Sequence, residues 1–153
     1  MKKIFTILIL TTATTVWGQA TKQVDSLSFC HNSYKVPTGC KAESEYQLQC
    51  SNYSIQWLYM NDEMFKTMPE QFVGQLESQM KKFKKQPITC YILEKQVKGY
   101  KINFKSDNGT NYQIIAYGVA NGQPVLVQMT LDKEPQTNED IPEFPRQIIK
   151  LTK

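Results

Sequence analysis

The chain has 153 residues and a mass of 17.7 kDa, which fits one domain and is too short for two ordinary ones. Hydrophobic residues make up 41% and charged residues 21% of it, a composition that excludes a disordered or collagen-like protein. The sequence has a single histidine, His31, and no Gly-rich phosphate loop. Most familiar enzyme, metal and cofactor sites are thereby excluded, and we expect no cofactor.

The first twenty residues have the pattern of a secretory signal peptide. A short basic start precedes an uncharged apolar run over 4–16, and the small residues Gly18 and Ala20 suit cleavage after Ala20, with cleavage after Gly18 as the alternative. The apolar run is shorter than the roughly 20 residues that span a bilayer. We therefore expect residues 1–20 to be removed and residues 21–153 to form a single secreted or periplasmic domain without a membrane span.

The net charge of the chain falls when the signal segment is removed. The whole chain carries 18 basic and 14 acidic residues, and two of the lysines, Lys2 and Lys3, lie in the signal segment. The remaining net charge of +2 does not favour binding to nucleic acid or to an anionic membrane.

All four cysteines, Cys30, Cys40, Cys50 and Cys90, follow the signal segment. An even number of cysteines in an exported chain predicts two disulfides. Three pairings are open, and we favour Cys30–Cys40 with Cys50–Cys90, since Cys50 and Cys90 both fall on the apolar face of a predicted strand. Zinc binding is disfavoured, because the chain has no Cys-x-x-Cys pair and His31 is adjacent to Cys30.

Two strands and a helix are predicted in the first half of the chain. Apolar residues alternate with polar ones over 46–50 and 54–60, as in strands. Near its end the second strand is apolar on both faces, with Trp57 on one face and Leu58 on the other. Apolar residues then recur at three- and four-residue steps over 68–85, which predicts a helix.

The ends of this helix carry their own signals. Thr67 and Glu70 have the spacing of a capping box, and Pro69 is tolerated in a first turn. Four lysines (81, 82, 84 and 85) fall in the last turn, where they suit the negative end of the helix dipole. An anion-binding patch is the alternative interpretation of these lysines, and we favour the dipole.

Four antiparallel strands and a closing helix are expected in the second half. Asp107-Asn108-Gly109 and Asn121-Gly122 predict tight turns, because Asn and Gly tolerate positive φ. Phe144 and Ile148 recur at helical spacing after Glu139-Asp140. The order of two strands, helix, four strands and helix predicts an α+β fold, with helices packed on an antiparallel sheet of about six strands.

This order of elements resembles the PsbP-like group, which includes the DcrB-like bacterial proteins. The resemblance covers about residues 34–152 and rests on Tyr34-Lys-Val-Pro37-Thr-Gly39, the helix at 68–85, Gly118-Val-Ala-Asn-Gly122 and the closing helix after Glu139-Asp140. It implies an α-β-α sandwich and a non-catalytic accessory or binding role. No functional residue of that group carries over to this chain.

Two arrangements of residues could support catalysis. Cys30 would be a nucleophile beside His31 only as a free thiolate. The carboxylate pairs Asp62/Glu63 and Glu139/Asp140 could act in a hydrolase, yet both lie at predicted helix starts, where acidic residues serve as caps. We favour the structural roles and expect no catalytic residue.

Aromatic residues in the strands are the main binding candidates. We single out Trp57, Tyr59, Tyr91 and Tyr117, because tyrosine and tryptophan are enriched at interfaces. Packing in the core is the competing interpretation, and we favour it, since aromatic residues are also common strand formers.

These observations favour an exported, non-catalytic binding protein that recognises a partner protein. One form of this hypothesis is an immunity protein that neutralises an exported toxin. The alternatives are a small-ligand carrier or accessory protein, with an apolar slot between helix and sheet, and a small hydrolase that uses carboxylates.

Overall fold

The structure, a computed structural model, describes residues 24–107 and 109–153. In chain order the elements are β1 (Ser26–Phe29), β2 (Asn32–Lys35), β3 (Lys41–Ser44), β4 (Gln47–Gln49), β5 (Tyr53–Tyr59), the helix α1 (Asp62–Gln79), β6 (Lys81–Ile92), β7 (Lys95–Ser106), β8 (Gly109–Ala120), β9 (Gln123–Leu131), a 3₁₀ turn (Asn138–Asp140), the one-turn helix α2 (Glu143–Arg146) and β10 (Ile149–Lys150). The signal peptide predicted over 1–20 and the turn residue Asn108 lie outside the described residues.

Eight of the strands form one curled antiparallel sheet in the order β10-β6-β7-β8-β9-β5-β4-β3, and β1 and β2 form a separate hairpin. The predicted α+β fold is wrong, because the described chain is mainly β and has one long helix rather than two. The α-β-α sandwich implied by the resemblance to PsbP-like proteins is wrong for the same reason. The resemblance itself stays a prediction.

The long helix begins earlier than predicted. Its cap is Asn61, whose side-chain oxygen accepts a hydrogen bond from the Met64 backbone N–H at 2.8 Å. Asp62 and Glu63 follow in the first turn, where the helix dipole favours acidic side chains. The expected capping box at Thr67 and Glu70 is therefore wrong, and Pro69 lies inside the helix.

The lysines predicted to end the helix lie instead at the start of β6. Lys81, Lys84 and Lys85 pair with residues of β7, with a register shift between Lys81 and Lys84. Pro87 is part of the same strand, and β10 pairs with β6 only at Tyr91 and Ile92. Pro87 therefore lies where the outer edge of β6 is unpaired, a position that tolerates its missing N–H.

The second half of the chain is a meander of long strands, as predicted. The tight turn at Asn121-Gly122 is confirmed, since both residues have positive φ, 50° and 77°. The predicted closing helix is wrong: only the single turn α2 forms, and the chain then pairs as β10 with β6, Ile149 opposite Ile92. Sheet pairing has replaced the helix because Ile148 and Ile149 are both buried.

The two faces of the sheet are covered differently. On one face, here called the helix face, α1 packs through Val73 on residues of β7, β8 and β9 such as Ile102, Ile115 and Leu126. On the opposite face, here called the hairpin face, β1, β2 and the C-terminal segment pack on a larger core. Members of that core are Phe29, Trp57, Ile114, Val127, Phe144 and Ile149.

One disulfide is present, and it differs from the favoured pairing. Cys40 is bonded to Cys50, with their Cα atoms 4.4 Å apart, because the β3–β4 hairpin pairs their neighbours Lys41 and Gln49. Cys30 and Cys90 are free and buried. Cys90 lies on β6, which is separated from β4 by four other strands of the sheet. The expected Cys50–Cys90 bond is therefore ruled out by the strand order.

Replacing Cys40 and Cys50 by serine should lower the free energy of unfolding by about 3 kcal/mol, because the bond restricts the loop between them in the unfolded chain. Urea unfolding measures the loss, and the wild-type chain in reductant should show the same loss. Thiol titration of the denatured, unreduced wild type should detect two groups, Cys30 and Cys90. A serine variant as stable as the wild type, or four reactive thiols in the wild type, would contradict this assignment.

Candidate functional site

A groove opens on the helix face between α1 and strands β4 and β5. Its volume is about 270 Å³. Its walls are apolar and come from strands and helix together: Tyr46, Trp57, Leu58, Met68, Phe72 and Leu126. Tyr46 and Leu58 are 45% and 43% exposed. Two large apolar side chains are therefore held in solvent at the same concave surface.

The groove exists because α1 covers only part of the sheet. An α-helix with its side chains is about 10–12 Å wide, whereas neighbouring strands are about 4.8 Å apart. The helix lies over β7, β8 and β9, and Met68 and Phe72 are half-buried at its margin. The helix face of β5 is left open, with Gln56 and Leu58 exposed there.

The rim of the groove is polar but uncharged. It is formed by Ser44 and three glutamines, Gln47, Gln56 and Gln128. The Gln56 amide donates to Gln128 at 2.6 Å, and Gln128 donates to Gln113 at 3.2 Å. None of the residues that line the groove is charged, although charged residues make up 21% of the chain.

Two of the predicted binding residues, Trp57 and Tyr59, lie beside this groove. Trp57 is 5% exposed, and its indole N–H donates to the Ser28 carbonyl at 2.9 Å. Tyr59 supports the exposed Tyr46 ring by an edge contact, with the ring centroids 5.9 Å apart. Both side chains therefore lie on the hairpin face, where they fix the β1–β2 hairpin, and Tyr59 reaches the groove only through its contact with Tyr46.

The hydroxyl of Tyr59 stabilises an unusual turn at the tip of that hairpin. Cys30 and His31 both have positive φ, 46° and 68°, a conformation that two-residue hairpin turns normally reserve for Asn and Gly. Tyr59 Oη accepts a hydrogen bond from the Cys30 N–H at 2.7 Å, and Asn121 Nδ2 donates to the Cys30 carbonyl at 3.1 Å. These bonds from β5 and from the β8–β9 turn hold the strained residues in place.

The other two predicted aromatic residues lie elsewhere. Tyr117 is under α1, where its hydroxyl and that of Tyr100 both donate to the Glu70 carboxylate. Burial and this carboxylate raise the pKa of Tyr117 well above its ordinary value. Tyr117 therefore anchors the helix to the sheet. Tyr91 is half-buried on β6, opposite Gln96, and its binding role stays a prediction.

The residues considered for catalysis make structural contacts. Burial raises the pKa of the Cys30 thiol to about 11, so the thiol is protonated near neutral pH. The Asp140 carboxylate accepts hydrogen bonds from the backbone N–H groups of Gln136 and Thr137, which lower its pKa. Within residues 24–107 and 109–153 no group of three or more His, Cys, Asp or Glu side chains could hold a metal ion.

The binding residues predicted from the sequence did not include Tyr46, Leu58, Met68 or Phe72. One usable signal was present at Leu58, since the strand that contains it is apolar on both faces near its end. The other residues gave no comparable signal. The helical spacing of Met68 and Phe72 is that of core residues, and they line the groove only because α1 is positioned with these two residues at the edge of its contact with the sheet.

The chain matches no protein-family model, and a search of curated proteins finds no match either. Among the described residues, no helix is long and apolar enough to cross a membrane.

Replacing Tyr59 by phenylalanine should lower the free energy of unfolding by about 1–3 kcal/mol, because the Cys30 N–H loses its partner in a strained turn. Tyr46→Phe is the matched control. Its hydroxyl makes no hydrogen bond within the described part of the chain, and its loss should change stability by less than about 0.5 kcal/mol. Urea unfolding of both variants measures the difference, and equal stability of the two would show that the Tyr59 hydroxyl does not support the turn.

Proposed function

We propose that this protein is an exported, non-catalytic binding protein that holds an apolar side chain of a partner protein in the groove beside α1. The observation that carries the proposal is that Tyr46 and Leu58, 45% and 43% exposed, both line one cavity. Single exposed apolar side chains are ordinary on protein surfaces. Two that converge on a groove walled by Met68 and Phe72 favour a site for an apolar group.

The composition of the groove favours a protein partner. Interface cores are depleted of charged residues and enriched in aromatic residues and methionine, and the groove has both features. The glutamine rim offers donors and acceptors to the backbone of a bound segment. The volume of about 270 Å³ is below the range of roughly 300–1,000 Å³ typical of small-ligand pockets, and it suits one or two anchoring side chains.

Export is part of the proposal, and the Cys40–Cys50 bond supports it, since disulfides form and persist mainly in oxidising compartments. Within this class we favour an immunity protein that neutralises an exported toxin. A neighbouring toxin gene in the source genome would support that form, and a toxin that the purified chain neither binds nor inhibits would contradict it.

Replacing Leu58 by lysine should weaken partner binding by at least about 30-fold, because truncating or charging an interface anchor costs about 2 kcal/mol or more. Val119→Lys is the matched control, since Val119 is 48% exposed and lies outside the groove lining. The immobilised wild-type chain would first capture the partner from the cell envelope of the source organism. Calorimetry with the purified partner then gives the dissociation constant for each variant.

Failure of the wild type to retain any stoichiometric protein at micromolar concentration would contradict the proposal. Equal affinity of the Leu58→Lys and Val119→Lys variants would show that the partner does not use the groove. A small molecule that native mass spectrometry finds bound to the wild type and absent from the Leu58→Lys variant would favour the carrier function instead.

A further inference from the structure

The positive charge of the chain is concentrated in two neighbouring strands. Residues 81–106, which span β6 and β7, contain eight lysines and one acidic residue, Glu94, and have a net charge of +7. The rest of 21–153 has eight basic and thirteen acidic residues, a net charge of −5. The net charge of +2 over residues 21–153 is therefore the sum of two strongly basic strands and an acidic remainder.

Strand register places several of these lysines on one face. Lys81 is paired with Lys105, and Lys84 is paired with Asn103. Side chains two residues apart on a strand share a face, so Lys101, Asn103 and Lys105 lie on the same side of β7. We call the five residues Lys81, Lys84, Lys101, Asn103 and Lys105 the lysine patch. The patch lies on the hairpin face of the sheet, next to the part of that face that the larger core covers. Its lysines are exposed, except Lys101, which is half-buried.

Neither of the ordinary explanations accounts for the whole patch. Interaction with a helix dipole does not explain these lysines, because they lie on strands. Lysines, proline and bulges do protect exposed edge strands from aggregation, which fits Lys81 and Lys84 on the open edge of β6. Strand β7, however, is paired with β6 on one side and β8 on the other, so Lys101 and Lys105 have no edge to protect.

The arrangement is also unfavourable without a ligand. Like charges directly opposite each other on paired strands are destabilising, and Lys81 is directly opposite Lys105. Within the described chain, Lys101 alone of the patch has a carboxylate partner, Glu134 at 3.3 Å. An anion between the lysines would remove this repulsion.

The side chains present suit an anion of high charge, such as clustered phosphate. Arginine binds carboxylate and phosphate alike through two parallel hydrogen bonds, whereas lysine acts as a point charge on a flexible stem, so its attraction grows with the charge of the anion. The patch contains no arginine. Asn103 adds an amide donor, and the β8 residues paired with Asn103 and Lys105 are Tyr112 and Thr110, which add hydroxyl donors on the same face.

We propose that the lysine patch is a binding site for clustered phosphate groups, carried either by a soluble polyphosphorylated molecule or by phospholipid headgroups. This site lies on the opposite face of the sheet from the groove, so the proposal does not rest on the groove or on its partner. Binding is electrostatic in origin and weakens steeply with added salt.

The test compares two triple variants of equal net charge. Lys81→Gln/Lys84→Gln/Lys105→Gln removes the patch, and Lys35→Gln/Lys41→Gln/Lys66→Gln removes three exposed lysines elsewhere. The soluble probe is tripolyphosphate, measured by calorimetry at low salt. The lipid probe is vesicles of phosphatidylglycerol and phosphatidylcholine, with phosphatidylcholine vesicles as the blank. Urea unfolding of both variants confirms that each is folded.

We expect the patch variant to bind at least one probe at least about tenfold more weakly than the wild type, and the control variant to differ from the wild type by less than about threefold. Binding of tripolyphosphate identifies a soluble ligand, and binding of the anionic vesicles alone identifies headgroups; either result supports the site. Absence of binding to both probes, or binding that the patch variant retains in full, would overturn the proposal. An equal loss in both variants would overturn it too, since the effect would then follow from net charge alone.

Discussion

A single helix has to cover one face of an eight-stranded sheet, and it is too small to do so. The 18-residue helix α1 is about 27 Å long and, with side chains, about 10–12 Å wide. Eight strands at about 4.8 Å spacing extend about 34 Å across. The helix therefore shields the middle strands and leaves β3, β4 and β5 uncovered on its side. The position of the groove follows from this mismatch.

The opposite face of the sheet is covered more completely, because several segments pack on it. The β1–β2 hairpin and the C-terminal segment pack on it and complete the larger core. The two faces are connected at Tyr59, whose hydroxyl holds the hairpin turn while its ring supports Tyr46 at the groove. Tyr59 thus stabilises the fold and also supports a residue that lines the candidate site.

Some of the local signals in the sequence predicted the local structure correctly. The alternation over 54–60 and the turn at Asn121-Gly122 depend on neighbouring residues only, and both are present in the structure. The end of α1 is different. The lysines of residues 81–85 favour a helix over a strand when they are considered alone, yet pairing with β7 makes this segment a strand. Pairing with a distant strand also explains why β10 forms where the closing helix was predicted, because Ile149 pairs with Ile92 of β6.

Features that depend on distant contacts were not readable from the sequence. The Cys40–Cys50 bond follows from the pairing of β3 with β4, and the sequence alone left three pairings open. The groove required knowledge of which strands α1 covers, although the apolar character of Leu58 was visible. The lysines at 81–85 were recognised as a cluster, but their alignment with Lys101 and Lys105 became visible only through strand register.

Thiol labelling tests most directly whether α1 leaves part of the sheet open. Leu58→Cys and Ile115→Cys each place one thiol on the helix face, the first beyond the helix and the second beneath it. Cys30 and Cys90 are buried and give a slow background. Under native conditions we expect Leu58→Cys to react with a maleimide nearly as fast as in the denatured chain, and Ile115→Cys to react only on unfolding. Equal protection of the two thiols would contradict the open face and the groove that depends on it.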